Sequence, residues 1–370
     1  MVSLSPRIDS DKLLRTAARL GDVVIDPALW PEIMEEVSRA MSAEGAALLQ
    51  GDVRTPDVPR TASLEDFAQS YFSGGWHQRD IRAERGVPLL LADVKAVMDQ
   101  DVVSPDEMRR SACYQDNYLP NGFQWFTAVG FRAGSALWTL SVQRTPKQGQ
   151  FEPADKRILS HLSDRLTQAA TLSAAVGRSA LIGITNALDL VSRAAIAMDR
   201  TGSVVMTNSL AEQFFGADIR VDGLRRLVVA DKRAMADIQR LRDRLQRMPD
   251  DVVAPMDAIV VRRLDKPSII IRILPIDGPA RGPFLAARVL LVLSDPSQKL
   301  APTAELLRRT YGLTTAEANL AVLIATGISV DAAAEQLGIG KQTARNQLKA
   351  VFSKIGVHRQ GELVAHLLRL

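Results

Sequence analysis

The chain has 370 residues, 46% of them hydrophobic and 24% charged, with a net charge of +4; the length suits two or three domains, and the composition excludes disordered and fibrous classes. So small a positive excess over so long a chain selects no partner by itself. A single cysteine, Cys113, rules out an intramolecular disulfide and a cysteine-built zinc cage, and without an apolar leader core or a run of ~20 uncharged apolar residues the protein is expected to be cytoplasmic and off the membrane.

In chain order, helical patterns appear first, around Lys12–Gly21 and Pro31–Met41. Two strand-like runs, Trp125–Arg132 and Ala136–Arg144, flank Ala133, Gly134 and Ser135 and predict a hairpin. After FEPAD, Ile158, Leu159, Leu162, Leu166, Ala169 and Leu172 recur at three- and four-residue steps, the mark of an amphipathic helix. Its seam is short, so packing onto its own domain is expected ahead of a dimeric coiled coil. Turn signals divide the chain near Thr171–Leu181 and again near Ser294–Pro302, where DPSQKLAP separates two well-patterned regions.

In the middle region, Ala194–Met198 and Ser203–Thr207 read as strands around an Asp199-Arg200-Thr201-Gly202 turn, and Asn208 caps a helix through Phe215. Further strands at Ser268–Leu274 and Ala286–Leu293 follow a charged helix around Asp231–Met248. This run of strand, D-x-x-G turn, strand, Asn and helix resembles a PAS-type sensory domain. The first region, with its hairpin, F-x-x-x-D and long helix, resembles a GAF-type domain, a cousin of the same architecture.

From Leu313 onward the punctuation yields four short helices. Thr314 and Glu317 stand at capping-box spacing, and Gly327 ends the first helix. Ser329 caps a second, with Val330, Ala333, Ala334 and Leu337 on one stripe before Gly338. After the tight turn Gly338-Ile339-Gly340, a third helix runs from Lys341 to Gly356, and a fourth carries Leu363, Val364, Leu367 and Leu368 on one side. At ~100° per residue, Ala344, Leu348, Val351, Phe352 and Ile355 of the third helix share one face, and Lys341, Gln342, Arg345, Asn346, Lys349 and Ser353 another. Cations beside carboxamides suit a major groove, where Arg and Lys address guanine or phosphate and Asn or Gln pairs with adenine. Thr343 and Lys354 point elsewhere, toward phosphates. From Leu313 to Leu370 there are six cations, Arg369 among them, against four carboxylates, and four of the six lie on the third helix. A charged outer face is also what any amphipathic helix presents to solvent.

The order of the motifs adds to that reading: L-T-x-x-E, A-x-G-x-S, A-x-x-L-x-I, T-x-R and K-I-G-V, at this spacing, resemble the LuxR-type helix-turn-helix. The resemblance implies that Lys341–Ile355 is the recognition helix, that Lys341, Thr343, Arg345, Asn346 and Lys349 face DNA, and that the fourth helix pairs two subunits. Gly340 stands where that family usually has Ser, Ala344 where it usually has Val, and Gln347 where it often has His.

All four tryptophans, Trp30, Trp76, Trp125 and Trp138, fall in the first region, near Tyr71, Phe72, Tyr114, Tyr118, Phe123 and Phe126. The cluster reads either as ordinary core or as the wall of a small-ligand pocket. The segment YFSGGWHQRD, with Trp76 four residues before Asp80, resembles a short stretch of the ligand-binding part of quorum-sensing LuxR regulators. Trp76, Asp80, Tyr114, Trp125 and Trp138 are the candidate ligand-binding residues. No histidine lies between Leu181 and Asp295, which argues against a histidine-ligated haem there; Cys113 lies outside that region, which argues against a flavin-cysteine adduct. No cofactor and no metal is expected. Cys113 reads as a small hydrophobe ahead of a redox switch. No phosphate loop, metal cluster or nucleophile elbow suggests an enzyme, and GAALLQGDVRTPD lacks the acidic series of a receiver domain.

The expected architecture is multidomain: two α+β sensory domains, GAF-like over 1–175 and PAS-like over 176–300, then an all-α four-helix helix-turn-helix domain over 301–370. The expected function is transcription regulation on double-stranded DNA as a homodimer, with RNA polymerase as a further partner. A small organic effector controls it in one reading; in the other, the first two domains only bind a protein partner or dimerise.

Overall fold

A computed structural model describes residues 8–51, 59–247, 257–285, 287–296 and 302–368. Met248, Ala286, Arg369, part of GDVRTPD and part of DPSQKLAP lie outside them. The chain forms two compact units, one from the chain up to Leu264 with Ile270–Leu293, the other from Ser294 onward with Asp265–Ile269.

The first unit opens with α1 (Ser10–Ala18) and α2 (Trp30–Ala40), followed by strand β1 (Gly45–Gln50). Then come α3 (Glu65–Ser73), α4 (Ile81–Leu91), β2 (Ala96–Met98), and the hairpin β3 (Trp125–Ala133) and β4 (Ala136–Arg144). The strands join antiparallel in the order β1-β4-β3-β2, with Leu48 opposite Leu140 and Phe131 opposite Trp138. Because side chains alternate across a strand, Trp138, Leu140 and Val142 of β4 join one core with α1 and α2, while Thr139, Ser141 and Gln143 face the opposite side. Eight of the nine β4 residues are buried, which tells that the sheet is covered on both faces.

Helix α5 (Lys156–Leu190) is 35 residues long and runs unbroken through 171–181, where the composition changes. Its first half buries Leu159, Leu162 and Leu166 on the β1–β4 sheet, and its second half buries Leu181 in another core beside Ala195, Ala197 and Leu290. A Cβ on Gly177 would stand 2.7 Å from the carbonyl oxygen of Pro279, so glycine sets the distance of approach there.

A second sheet follows. It contains β5 (Ala194–Asp199), β6 (Val204–Thr207), and, after the small hairpin β7 (Ile219–Val221) and β8 (Leu227–Val229) and helix α6 (Lys232–Arg247), the strands β9 (Ile259–Arg263), β10 (Lys266–Pro275) and β11 (Ala287–Ser294). The order is β6-β5-β11-β10-β9, so here, as in the first sheet, the first strand pairs with the last. The D-x-x-G turn forms as expected: Asp199 Oδ1 accepts from the backbone amides of Thr201 (2.8 Å) and Ser203 (2.9 Å). Asn208 caps only a single turn, Ser209–Glu212, where a helix through Phe215 was expected. Its side chain also accepts from Ala195 N and donates to Arg193 O, both at 2.8 Å, and so ties the turn to the sheet. Strand β9 is absent from the sequence-level expectation.

Phe284, just before β11, enters the core of the first sheet, its ring edge-on to Trp138 (5.1 Å), Trp30 (5.7 Å) and Phe131 (5.9 Å). Buried Arg200 donates to Gln50 Oε1 at 2.6 Å, with its guanidinium 5.0 Å from the Trp138 ring centre.

From Ala304 onward the second unit is helical among the described residues. Beyond the four expected helices it has one more, α7 (Ala304–Tyr311), ahead of α8 (Thr315–Ala325), α9 (Val330–Gln336), α10 (Lys341–Ile355) and α11 (Gln360–Leu367). Gly338 and Gly356 end α9 and α10 with φ of +66° and +80°, a left-handed conformation that glycine takes without steric cost. No helix among the described residues is long and apolar enough to cross a membrane.

Candidate functional site

The helix α10 is held as its sequence period requires. Ala344, Leu348 and Val351 are buried in a core with Leu320, Ile324, Ala333 and Ala334, and Phe352 and Ile355 pack against its edge. Lys341, Gln342, Thr343, Arg345, Asn346 and Lys349 are all exposed. The short turn from α9 delivers the start of α10 to the surface. Its N-cap, Gly340, has no side chain to accept from the first amides, so those donors stay available to water or to an anion.

Two of the cations lean on a carboxylate of the preceding helix: Lys341 Nζ and Arg345 stand 3.5 and 3.4 Å from Asp331. Gln342 donates to Asn346 Oδ1 at 3.4 Å. These are long, exposed contacts, and ion pairs of this kind contribute little, so the groups exchange readily for an outside partner. Lys354, which was expected to reach phosphate, has closer partners within the protein. Its ammonium donates to Glu317 Oε2 at 2.7 Å and to the carbonyl of Gly312 at 3.3 Å. Glu317 in turn accepts from Thr314 N at 2.7 Å, completing the capping box read from the sequence. Lys354 thus clamps α10 to the start of α8.

That hydrogen bond from Lys354 holds the Glu317 carboxyl below the ordinary range, against the opposing effect of burial. A carboxyl depressed in the folded state stabilises it at neutral pH and loses that contribution as pH falls through the folded value. Glu317→Gln is therefore expected to lower the thermal midpoint of the second unit at pH 7, with the gap to the parent protein closing toward pH 3. A gap independent of pH in calorimetry would contradict the clamp.

The fourth expected helix, α11, does not present its apolar side outward. Leu363 and Leu367 are fully buried and Val364 packs against the same core, leaving Leu368 as the exposed member of the four.

In the first unit, a cavity of about 70 Å³ lies between the sheet and helices α3 and α4. Leu49, Leu64, Phe67, Val87, Leu90, Val97 and Phe126 make most of its wall; Tyr71, Asp80, Arg82, Tyr118, Thr139, Ser141 and Gln143 make a polar stripe. Asp80 is the N-cap of α4, its Oδ1 accepting from Arg82 N at 3.0 Å and its Oδ2 from the hydroxyls of Tyr71 (2.7 Å) and Tyr118 (3.1 Å). The Arg82 guanidinium is buried, donating to Tyr114 Oη (2.9 Å), Gln143 Oε1 (2.9 Å) and Gln124 O (2.6 Å), 3.2 Å from Asp99. It lies over the Tyr118 ring at 3.8 Å. Burial is the largest single influence and works against that charge, but the Asp99 carboxylate, Tyr114 and Tyr118 together outweigh it and raise the Arg82 pKa.

Of the five residues expected to bind a ligand, Asp80 alone lines this cavity. Tyr114 stands behind Arg82, bonded to Asp99 at 2.6 Å. Trp76 stacks under Arg79 at 4.0 Å, Trp125 packs at the margin of the neighbouring core, and Trp138 is on the other face of the sheet with Phe284. Tyr71 and Tyr118 stood in the aromatic cluster but not among the candidate residues, and Arg82, Ser141 and Gln143 were not named. The alternation of β4 carried the signal for the last two: Thr139, Ser141 and Gln143 face opposite Trp138, Leu140 and Val142.

Cys113 is buried 3.8 Å from Asp80. Burial, with the nearby Asp80 charge, pushes its thiol up to about 12. Since the thiolate is the nucleophile, the folded protein is expected to react with iodoacetamide at pH 8 at least a hundredfold more slowly than the denatured chain; comparable rates would contradict this placement. Among the described residues no group of three or more His, Cys, Asp or Glu is placed to hold a metal.

No protein-family model matches the chain, and no curated protein matches it. Among solved structures it is similar to a phage VqmA–DPO complex, at 15% identity over 51% of this chain and 88% of that one, TM-score 0.20. It is similar also to the Vibrio cholerae VqmA dimer, described as a LuxR-type receptor, at 16% identity over 48% and 85%, TM-score 0.19. A third is the E. coli DhaR(N)–DhaL complex, at 11% identity over 76% and 86%, TM-score 0.24. Superpositions this loose establish neither fold nor function for this chain.

Proposed function

We propose that the protein is a sequence-specific transcription regulator that binds double-stranded DNA as a homodimer, with α10 in the major groove. One observation carries this reading: on α10 the buried face is wholly apolar, and the bare face holds Lys341, Gln342, Arg345, Asn346 and Lys349. Guanidinium, ammonium and carboxamide groups on one accessible rod are the set that reads base edges and phosphates. In this reading residues 301–370 are the LuxR-type module, 1–175 a GAF-like and 176–300 a PAS-like domain, and the protein works in the cytoplasm. The Asp199 turn, the Asn208 cap and the pairing of first with last strand in both sheets support the sensory assignment. A small organic effector of apolar body and few polar groups occupies the cavity beside Asp80.

A selection from random-sequence duplexes with the full chain tests the DNA reading. Enrichment of a two-fold site, absent when Arg345 and Lys349 are both alanine, is expected; no enrichment at moderate salt would refute it. One observation favours a second reading, in which the first unit takes no ligand: Asp80 and Arg82 already have their hydrogen bonds met inside the protein. Titration of tryptophan fluorescence with a metabolite library separates the two, because all four tryptophans fall within residues 1–175, the region that also holds the cavity.

A further inference from the structure

The outer face of the second half of α5 has no account in the fold. Its first turns carry Lys156, Arg157, Asp164 and Arg165, but from Thr171 to Leu188 Arg178 is the one charged residue, in a chain that is 24% charged. Among the residues exposed there are Leu172, Ala175, Val176, Ser179, Ile182, Gly183, Asn186 and Leu190. Leu172 is 56% exposed, Ile182 43% and Leu190 87%. Their spacing of three and four residues puts them on one stripe directly opposite the buried Ser173, Gly177, Leu181 and Thr185. A stripe repeating every 3.5 residues is the seam of a helix pair.

We infer that this stripe, from Leu172 to Leu190, is where a second copy of the chain docks, α5 against α5 in parallel. The inference rests on the homodimer reading above and gives it a place. An uncharged seam offers nothing to DNA, whereas an identical seam matches it in period and in polarity. Leu172, Ser179 and Asn186 recur every seventh residue, so in a parallel pair each meets its own counterpart; a polar residue at such a position, as Asn186 is, fixes register. Arg178 flanks the seam. In the parallel arrangement it lies over Gly183 of the partner subunit, while an antiparallel pair centred on Ser179 would bring the two Arg178 side chains together, a repulsive contact. Ala175, Ser179 and Gly183 let the backbones approach closely. The seam is about 28 Å long at 1.5 Å per residue, and two such helices bury on the order of 1,000 Å² in total, at the lower end of specific interfaces.

Disulfide trapping in the full chain tests this, aided by the burial of the native Cys113. Leu172→Cys and Ser179→Cys are each expected to form linked dimers under mild oxidation, and Arg157→Cys, on the charged first turns, is not. Ile182→Glu is expected to raise the dimer dissociation constant at least tenfold in sedimentation, with tryptophan emission unchanged as the check on folding. A dimer by sedimentation that links at neither position, or at Ser179→Cys alone, overturns the parallel seam and leaves the homodimer reading standing. An unaltered dissociation constant for a folded Ile182→Glu overturns it as well. Monomer alone at all concentrations, with and without a selected duplex, overturns both.

Discussion

Replacing Arg345 with alanine is expected to weaken binding to a selected duplex by about 1–3 kcal/mol, the cost of one lost base or charge contact. Lys349→Ala is expected to fall in the same range. The two need not act alike. A side chain that reads a base edge loses discrimination at one position of the site, whereas one that contacts phosphate lowers affinity evenly across sequences and reduces the salt slope by about one ion. Arg345 stands 3.4 Å from Asp331 and Lys341 3.5 Å from the same carboxylate, and pairs so exposed are given up at little cost when DNA arrives. Lys354→Ala should differ in kind, lowering the stability of the second unit through its lost bond to Glu317. Unchanged affinity and salt slope for both Arg345→Ala and Lys349→Ala would remove α10 from the interface.

The largest effect on stability is expected at Arg82. Its guanidinium and the Asp99 carboxylate are each 3% exposed and 3.2 Å apart, and Asp99 also accepts from Phe126 N at 2.6 Å. Removing one partner of a buried pair strands the other charge away from water, at a cost of about 3–5 kcal/mol. Arg82→Met is therefore expected to destabilise the first unit by that amount in urea, read by tryptophan emission. The double variant Arg82→Met, Asp99→Leu should recover much of the loss, since an apolar replacement of both partners carries no stranded charge. A single Arg82→Met within about 1 kcal/mol of the parent would show the pair to be ordinary surface electrostatics.

Much of the second unit was legible because its signals are local. A capping box needs only Thr314 and Glu317 three residues apart, and the face of α10 needs only its own period. What was not legible depends on partners distant in sequence: Lys354 lies on the helix read as basic, but Glu317 comes from another helix 37 residues earlier. The same holds for α11, whose Leu363 and Leu367 are consumed by its own core. The first unit was less legible for a related reason. Counting aromatic residues identified a region but not a face, and β4 puts Trp138 and Ser141 on opposite sides of one sheet. Asp80 was read as a ligand-binding residue and Arg82 was not singled out; what surrounds them is Tyr118, Gln143 and Asp99, brought in from three other segments. The seam of helix α5 was read only as far as Leu172, because turn signals placed a division of the chain at Thr171–Leu181, whereas the helix continues to Leu190.

The placement of α10 against DNA is tested most directly by cleavage from the helix itself. An iron–EDTA group attached through Gln342→Cys, on a selected duplex to which binding has been verified by gel shift, should cut the strands in two patches facing the major groove of each half-site. The buried thiol of Cys113 leaves the label on one position. Cleavage confined to those patches is the expected result. A stably bound, labelled protein that leaves the duplex uncut at the site would contradict the account.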